Sequence, residues 1–255
     1  MATPSRDLIF GGFRSTVKLS STRGEKGAGW CRIGKRNLVH DEQPGTGTNK
    51  VEALCLGLKQ DLVQDSRGRH FTNEEFSQLQ RLRFLRVGYR DLDGDFQRFL
   101  PNLRWLLWRR WAASLRVGYR DIGGDFQLLL PNLRWLHWCG WSGNFALKNF
   151  HLKNLVILDL SYSDITYDWE AWSQIKMAKK LKVLDLTHCN CLTSTPDFST
   201  ISTLEILILK ECRKLVQIDP SFGNLIKLKV LDISDSGITR LPDAIKRLSS
   251  LRILR

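Results

Sequence analysis

The segment Leu155-Val156-Ile157-Leu158-Asp159-Leu160-Ser161-Tyr162-Ser163-Asp164-Ile165 contains apolar residues at a spacing that returns through the second half of the chain. The spacing is LxxLxLxxSxI, in which the ninth position holds a small polar or thiol residue. It returns in residues 181–192, 204–215 and 228–238, and another copy begins at Leu251. The second leucines of successive copies are separated by 26, 23, 24 and 23 residues, so the pattern is regular.

Steps of this length are typical of leucine-rich repeats. Alternate side chains of a short strand point to opposite faces, so Leu158 and Leu160 share one face while Ile157, Asp159 and Ser161 share the other. No single repeat closes a core, so the leucines of successive repeats must stack, each gaining about 1.5–3 kcal/mol of transfer free energy. The sequence therefore predicts an α/β leucine-rich-repeat solenoid, with a curved parallel sheet on its concave face and short helices and loops on its convex face.

The same alternation separates neighbouring residues within one strand. It places Leu184 in the core and Asp185 on the outward face, so it predicts that an apolar residue is tolerated at 185 but a charge is not tolerated at 184. The bend after each strand contains buried amides that need partners. The small residues that suit these bends are Ser163, Cys189, Cys212 and Ser236.

Two domains are predicted. Residues 1–48 are rich in Gly, Ser, Thr, Arg and Lys and have no sustained apolar period, which predicts a leader without a packed core. Residues 49–255 form the leucine-rich-repeat domain, and its first strand begins near Val51. Thr72 and Glu75 have the spacing of a helix-capping box. The glycines of residues 24–34 do not match GxxxxGK[ST], so no phosphate-binding loop is predicted.

An internal duplication interrupts the repeats. Residues 85–111 and 115–141 are identical at 20 of 27 aligned positions, with an offset of 30 residues. Leu106 and Leu115 are only nine residues apart, too few for a full repeat, so the coil is predicted to be irregular near residues 108–114. The repeat domain is thus divided into an irregular part, 85–141, and a regular part, 155–255.

Short helices are predicted on the convex side. Trp169, Trp172 and Ile175 have helical spacing within residues 168–180, which lie in the longest step. Later repeats replace this segment with proline-containing turns at Pro196, Pro220 and Pro242, where proline suits the first position of a helix.

The outward strand positions are the predicted binding surface. Trp108 and Trp138 fall on inward positions and are predicted core residues, whereas Trp105 and Trp135 face outward and either bind a partner or pack against neighbours. Asp159, Asp185 and Asp232 form one outward column, which is either a solvated acidic surface or a stripe for a basic partner. The complete set of predicted partner-binding residues is Trp105, Trp135, His137, Asp159, Ser161, Asp185, Thr187, Ile208, Lys210, Asp232 and Ser234.

No catalytic or cofactor chemistry is predicted. His137 with Cys139, and His188 with Cys189 and Cys191, are the only clusters of histidine and cysteine. Structural zinc requires four ligands, and Cys189 is assigned to an inner bend, so no metal site is predicted. None of the five histidines is placed by the repeats beside both a nucleophile and an orienting acid. We therefore expect no enzyme activity and no cofactor.

Composition limits the compartment and the partner. No apolar stretch approaches the roughly 18 residues of a membrane span, no secretory signal is recognisable, and no Asn-x-Ser/Thr triplet occurs. A soluble cytoplasmic or nuclear protein with reduced cysteines is expected. The net charge is +13, with 22 basic and 14 acidic residues in 1–130 and 17 and 12 in 131–255. Because the excess is spread and not clustered, it favours a basic solvated surface over a nucleic-acid site.

Several motifs resemble one protein family. Residues 45–54 (GTGTNKVEAL), 71–76 (FTNEEF) and 103–106 (LRWL), together with the LxLTxC and LP turns, are similar to the repeat region of plant nucleotide-binding leucine-rich-repeat disease-resistance proteins of the Toll/interleukin-receptor type. The family's Toll-like and nucleotide-binding domains would precede residue 45. The resemblance implies intracellular recognition of pathogen effectors, or restraint of a receptor's nucleotide-binding domain, by a truncated chain that retains only the recognition half.

The sequence thus predicts a cytosolic repeat protein that binds a protein partner on its concave face. The alternatives are a basic nucleic-acid-binding module and a resistance-gene fragment with no independent role. Residues 251–255 form the strand of a further repeat without a polar cap after it, which predicts fraying or self-association at this end.

Overall fold

One parallel sheet runs through the described part of the chain. The computed structural model describes residues 51–55, 79–88, 100–109, 130–140 and 152–255. Within them, nine strands follow each other in chain order, and each hydrogen bonds to the next. The strands are β1 Ala53–Cys55, β2 Phe84–Gly88, β3 Trp105–Arg109, β4 Trp135–Cys139, β5 Ile157–Asp159, β6 Val183–Asp185, β7 Ile206–Ile208, β8 Val230–Asp232 and β9 Ile253–Leu254. The predicted leucine-rich-repeat solenoid is confirmed.

Strand register aligns one leucine per turn into a continuous column. Parallel pairing sets Leu158 opposite Leu184 and Leu207 opposite Leu231, and the same relation holds along the sheet. The aligned leucines are Leu54, Leu85, Leu106, Leu136, Leu158, Leu184, Leu207, Leu231 and Leu254. The first eight are at most 2% exposed, whereas Leu254 on the last strand is 46% exposed. The aligned leucines therefore form a continuous buried core from β1 to β8.

The duplicated segments occupy neighbouring strands. β3 and β4 pair residue for residue, with Trp105 opposite Trp135 and Leu106 opposite Leu136. Each residue of β3 therefore lies beside its own copy in β4. Trp138 is 3% exposed, which confirms its predicted core position. The predicted irregularity near 108–114 lies mostly outside the described residues, as do the predicted leader 1–48 and the capping box at 72–75.

Asparagine side chains join the turns just before β3, β4 and β5. Asn102 donates to the Gln80 carbonyl at 2.8 Å, and Asn132 donates to the Pro101 carbonyl at 2.7 Å. Asn154 donates to the Pro131 carbonyl at 2.8 Å. Each bond satisfies a carbonyl of the preceding turn. This contact gives the asparagine of the repeated Pro-Asn-Leu sequence a structural role.

The convex side is formed by short helices. The predicted helix in the longest step is present as α1, Trp172–Ile175, and 3₁₀ helices occupy Leu152–Asn154, Pro220–Asn224 and Asp243–Arg247. The proline prediction is correct for Pro220, which begins its helix, whereas Pro242 precedes one and Pro196 lies outside any helix.

Two phenylalanines outside the leucine pattern fill the interior of the later turns. Phe198 and Phe222 are fully buried, and their rings meet edge to face with centroids 6.2 Å apart. They lie 24 residues apart, at the same place in successive turns. This contact continues the core beyond the leucine column, towards the convex side.

Leu207→Ala and Ile206→Ala test the assignment of the two faces. Leu207 is fully buried, so its truncation should lower the free energy of unfolding by about 2–5 kcal/mol. Ile206 is half-buried on the opposite face, and its truncation should cost clearly less. Urea denaturation of both variants measures the difference, and equal losses would contradict the register.

Candidate partner-binding face

An apolar column crosses the sheet face that carries Trp105 and Trp135, which we call the concave face. Strand pairing places the first outward residue of each strand beside its counterpart. The column consists of Ala53, Phe84, Trp105, Trp135, Ile157, Val183, Ile206, Val230 and Ile253. Ile157 and Val183 are buried at 8% and 9% exposure, whereas the members on either side are more open. The same alternation that identified Trp105 could have identified the remaining members.

Exposed basic residues border the apolar column on one side. They immediately precede the strands, and they are Arg83, Arg104, Arg134, Lys182, Lys229 and Arg252. Glu205 lies 2.8 Å from Lys182 and 2.7 Å from Lys229, and hydrogen bonds from these lysines hold the pKa of Glu205 below its usual value. Among the described residues, Arg104, Arg134 and Arg252 have no such carboxylate. Positive charge is therefore uncompensated beside the two tryptophans and also beside the last strand.

The acidic column caps the strands through a repeated Asp-x-Ser/Thr unit. Oδ1 of Asp159 accepts the Ser161 N–H at 3.0 Å, and Oδ1 of Asp185 accepts the Thr187 N–H at 2.9 Å. Asp232 accepts the corresponding N–H, that of Ser234, at 3.0 Å. In each unit the aspartate oxygen takes the place of a backbone carbonyl in a turn. The Asp-x-Ser/Thr sequence by itself therefore indicates this turn.

Burial corrects the prediction of a solvated acidic surface. Asp159 is 1% exposed and Asp185 is 4% exposed, so neither carboxylate is solvated, and neither is available to a basic partner. Asp232 is half-buried and lies 3.7 Å from Arg255. Each carboxylate accepts a hydrogen bond at its own strand end, which strand alternation alone does not reveal.

A buried ion pair joins β4 to β5. Nδ1 of His137 and Oδ2 of Asp159 are 2.5 Å apart, and both residues are less than 5% exposed. The pairing is possible because strand register sets His137 directly opposite Asp159. The strand register thus brings an orienting acid to His137, one of the two groups that the sequence analysis expected no histidine to meet together.

Charge stabilises the protonated imidazole in this pair. Burial alone lowers the pKa of His137, but the hydrogen bond and charge of Asp159, together with Cys139, outweigh burial and raise this pKa to about 9. Burial raises the pKa of Asp159, but the imidazole and the two hydrogen bonds from Ser161 outweigh it and lower the pKa. At neutral pH the pair is ionised, and its two charges satisfy each other within the protein.

The predicted partner-binding residues fall into two groups. His137, Asp159, Ser161 and Asp185 are buried, so as direct contacts for a partner they are corrected by the structure. The residues that retain partial exposure on the concave face are Trp105, Trp135, Thr187, Ile208, Lys210, Asp232 and Ser234. These partly exposed residues remain the predicted contact surface.

A row of residues at the strand ends was not identified from the sequence. Tyr162, His188, Glu211 and Asp235 occupy the same place in successive turns, each with a positive φ between 56° and 62°. The Tyr162 and His188 rings lie 4.9 Å apart, and Nδ1 of His188 lies 3.2 Å from the Glu211 carboxylate. That hydrogen bond lowers the pKa of Glu211. Tyr162 and Asp235 are exposed, and His188 and Glu211 are half-buried, so the row reaches the surface.

The buried cysteines at the inner bends form hydrogen bonds to backbone carbonyls. Cys189 and Cys212 are fully buried, and their thiols donate to the carbonyls of Leu160 and Leu186 at 3.4 and 3.0 Å. This is the use predicted for the small residue at each bend. No group of three or more histidine, cysteine or acidic side chains within the described ranges is placed to hold a metal ion.

Asp185→Leu tests whether the Asp-x-Ser/Thr unit is structural. The change leaves the Thr187 N–H and hydroxyl without their acceptor, so it should lower the free energy of unfolding by about 1–3 kcal/mol. Ile208→Leu, in the same column but without such a unit, is the control and should cost less than about 1.5 kcal/mol. Chemical denaturation provides the measurement. A stable Asp185→Leu variant would support the alternation-based prediction instead.

The pH dependence of stability tests the ion pair. Because the pKa of His137 is raised on folding, its stabilisation is complete below pH 6.5 and is lost as the pH rises through about 9. In this window the free energy of unfolding should fall by up to about 1.4 kcal/mol per pH unit relative to His137→Leu/Asp159→Ile. The variant copies Leu107 and Ile208, which occupy this column in other strands. Parallel stability profiles for the two proteins would exclude a protonated His137.

Comparisons with known proteins were made on both sequence and structure. No family model matches the chain. The tobacco mosaic virus (TMV) resistance protein N of Nicotiana glutinosa is 32% identical over 94 residues, 36% of this chain and 8% of that protein. Disease resistance protein RPV1 of Vitis rotundifolia is 37% identical over 79 residues, 31% of this chain and 5% of that protein. The matched stretch is thus a small part of each relative's length.

Solved structures support the fold. InlP of Listeria monocytogenes has a TM-score of 0.52 at 19% identity, with 81% of this chain and 56% of that chain covered. A leucine-rich-repeat protein of Leptospira interrogans has a TM-score of 0.51 at 22% identity, with 82% and 55% covered. Among the described residues, no helix is long and apolar enough to cross a membrane. The described chain is a leucine-rich-repeat solenoid, and in sequence it is similar to part of several plant disease resistance proteins.

Proposed function

We propose that this chain is a protein-recognition module of plant defence that binds its partner on the concave face and catalyses no reaction. The observation that carries the proposal is the apolar column, which presents half-buried Trp105 and Trp135 beside uncompensated Arg104 and Arg134. Tryptophan and arginine are the residues that contribute most to protein interfaces. The similarity to disease resistance proteins supplies the biological setting.

The kind of partner follows from the residues at this end of the sheet. Apolar surface on a partner would cover the two indole rings, while acidic side chains at its margin would meet the arginines. A pathogen effector and the nucleotide-binding domain of a receptor are the two partner classes that the resemblance implies. Action in the cytoplasm or nucleus is part of this proposal, and self-association through residues 251–255 stays a prediction.

A basic nucleic-acid-binding module is the second candidate, because a row of exposed arginines beside aromatic rings also suits single-stranded nucleic acid. Further along the row, Lys182 and Lys229 share Glu205, which reduces the positive charge that a phosphate backbone would follow. Fluorescence anisotropy with single-stranded RNA at increasing salt separates the candidates. Specific binding that weakens steeply with salt would favour nucleic acid.

Site-specific photo-crosslinking tests the protein-binding face. A photoreactive residue at Trp105 should capture a partner in infected plant tissue, whereas the same residue at Met177, 56% exposed on the convex side, should not. The captured protein is then purified and its affinity measured by calorimetry. Trp105→Ala/Trp135→Ala should weaken binding by about tenfold or more, since truncated interface anchors typically cost over 1 kcal/mol.

Met177→Ala/Tyr167→Ala is the matched control, because it removes two exposed apolar side chains from the other side of the molecule. It should leave the affinity unchanged. Equal crosslinking from the two positions, or equal weakening by the two double variants, would contradict recognition on the concave face.

A further inference from the structure

Lysine side chains collect along one edge of the sheet, although the positive charge is spread along the sequence. The four residues directly before each strand form this edge, which we call the strand-entry edge. In the regular repeats it consists of residues 153–156, 179–182, 202–205, 226–229 and 249–252. Its basic residues are all exposed, and they are Lys153, Lys179, Lys180, Lys182, Lys227, Lys229 and Arg252.

The opposite edge of the same strands has no such excess. The four residues directly after each of β5, β6, β7 and β8 include one basic residue, Lys210, and two acidic residues, Glu211 and Asp235. The parallel sheet causes this separation, because all strands begin at one edge and end at the other. Since neighbouring strands lie about 4.8 Å apart, the cations form a row along successive turns.

Neutral groups hold the two lysines that come before β6. Nζ of Lys180 donates to the side-chain oxygen of Asn154 at 2.8 Å. Nζ of Lys179 donates to the Thr200 carbonyl at 3.4 Å. These hydrogen bonds orient the ammonium groups towards neighbouring turns without removing their charge.

Glu205 is the one acidic residue of the edge. It lies within 2.8 Å of both Lys182 and Lys229, so one carboxylate is shared between two ammonium groups. The residues of this edge that contact no carboxylate of the described chain are Lys153, Lys179, Lys180, Lys227 and Arg252. The strand-entry edge therefore has a net charge of +6.

The composition of the edge distinguishes between the anions that could cover it. Single-stranded nucleic acid is bound on aromatic side chains, and the segments KNLV, KKLK, STLE, IKLK and SSLR contain none. A protein interface has an apolar core, whereas the one strongly exposed large apolar side chain of this edge is Ile226, at 51% exposure.

An anionic bilayer needs neither feature. Its headgroups form an extended surface of negative charge, and the attraction grows with the number of lysines and arginines that approach it. A single apolar side chain among the lysines suits the boundary between headgroups and acyl chains. The row of cations with Ile226 among them therefore fits a lipid surface better than it fits the other two polyanions.

We propose that the strand-entry edge docks the protein reversibly on a membrane surface that contains anionic phospholipids. The ammonium groups contact lipid phosphates and carboxylates, and Ile226 enters the headgroup boundary. Trp105 and Trp135 lie on the concave face and not on this edge. The proposal thus goes beyond the recognition function and does not depend on it.

Vesicle co-sedimentation of the full chain tests the docking. The protein should bind vesicles of phosphatidylcholine with about one third phosphatidylserine, and it should not bind vesicles of phosphatidylcholine alone. High salt should release it, because salt screens the attraction between exposed charges. Absence of binding to the anionic vesicles at low salt would overturn the proposal.

Charge-removing variants locate the surface. Lys179→Gln/Lys180→Gln/Lys227→Gln should weaken binding to the anionic vesicles by about a hundredfold, since each lysine near such a surface strengthens binding about fivefold. The matched control Arg213→Gln/Lys214→Gln/Arg240→Gln removes three exposed charges outside this edge and should leave binding unchanged. Equal weakening by the two triple variants would show a response to net charge only, which would overturn the proposal.

A second pair of variants tests the apolar contact. Ile226→Ser should weaken binding further, whereas Val216→Ser, at a side chain of 60% exposure outside the edge, should not. All the replaced residues are exposed, so the variants should keep the thermal unfolding temperature of the parent protein. Single-stranded RNA is the competing anion. If RNA binds the parent chain and loses affinity in the lysine triple variant, the edge belongs to nucleic acid and membrane docking is wrong.

Discussion

The structure depends on the burial of one leucine column that no single turn can bury alone. Each strand is only two to five residues long, far too short to be stable in isolation, so it exists because its leucine contacts those of its neighbours. Backbone hydrogen bonds also join neighbouring turns. The Arg83 carbonyl accepts the N–H groups of both Arg104 and Trp105, and the Arg104 carbonyl does the same for the next turn. Stability is therefore shared between adjacent turns.

Polar groups in such an array must also be satisfied across turns or within their own bend. The structure uses three solutions at three places. Asparagine amides serve carbonyls before β3, β4 and β5, cysteine thiols serve carbonyls at the inner bends, and Asp-x-Ser/Thr units serve the N–H groups at the strand ends. Because buried polar groups without partners cost about 1–3 kcal/mol each, these small contacts decide which residues the pattern accepts at its variable positions.

The sequence predicts the apolar core of this protein better than it predicts the partners of its polar side chains. The leucine column and the parallel sheet could be predicted because they depend only on a period and on strand alternation, and Leu184 and Trp138 are buried as expected. Alternation predicts that Asp159 faces solvent, because it says which face a residue takes but not what lies opposite. Its partner, His137, is 22 residues away, and only strand register brings the two together. The same local Asp-x-Ser sequence would have suggested a turn, but not the burial of the carboxylate.

The two duplicated segments show how such a pair constrains the sequence. Their strands are nearly identical, yet Leu107 corresponds to His137, Arg109 to Cys139 and Arg110 to Gly140. These three of the seven differences lie in β4 and directly after it, where β4 meets β5 and therefore Asp159. A leucine opposite a buried carboxylate would leave the charge without a partner, whereas histidine supplies one. Gly140 adopts a φ of 78°, a conformation in which other residues are strained, and its N–H donates to the Ser161 carbonyl. At position 137 the copy that borders the regular repeats thus differs from the other where its neighbour requires a partner, and the buried pair of His137 and Asp159 arises from that junction.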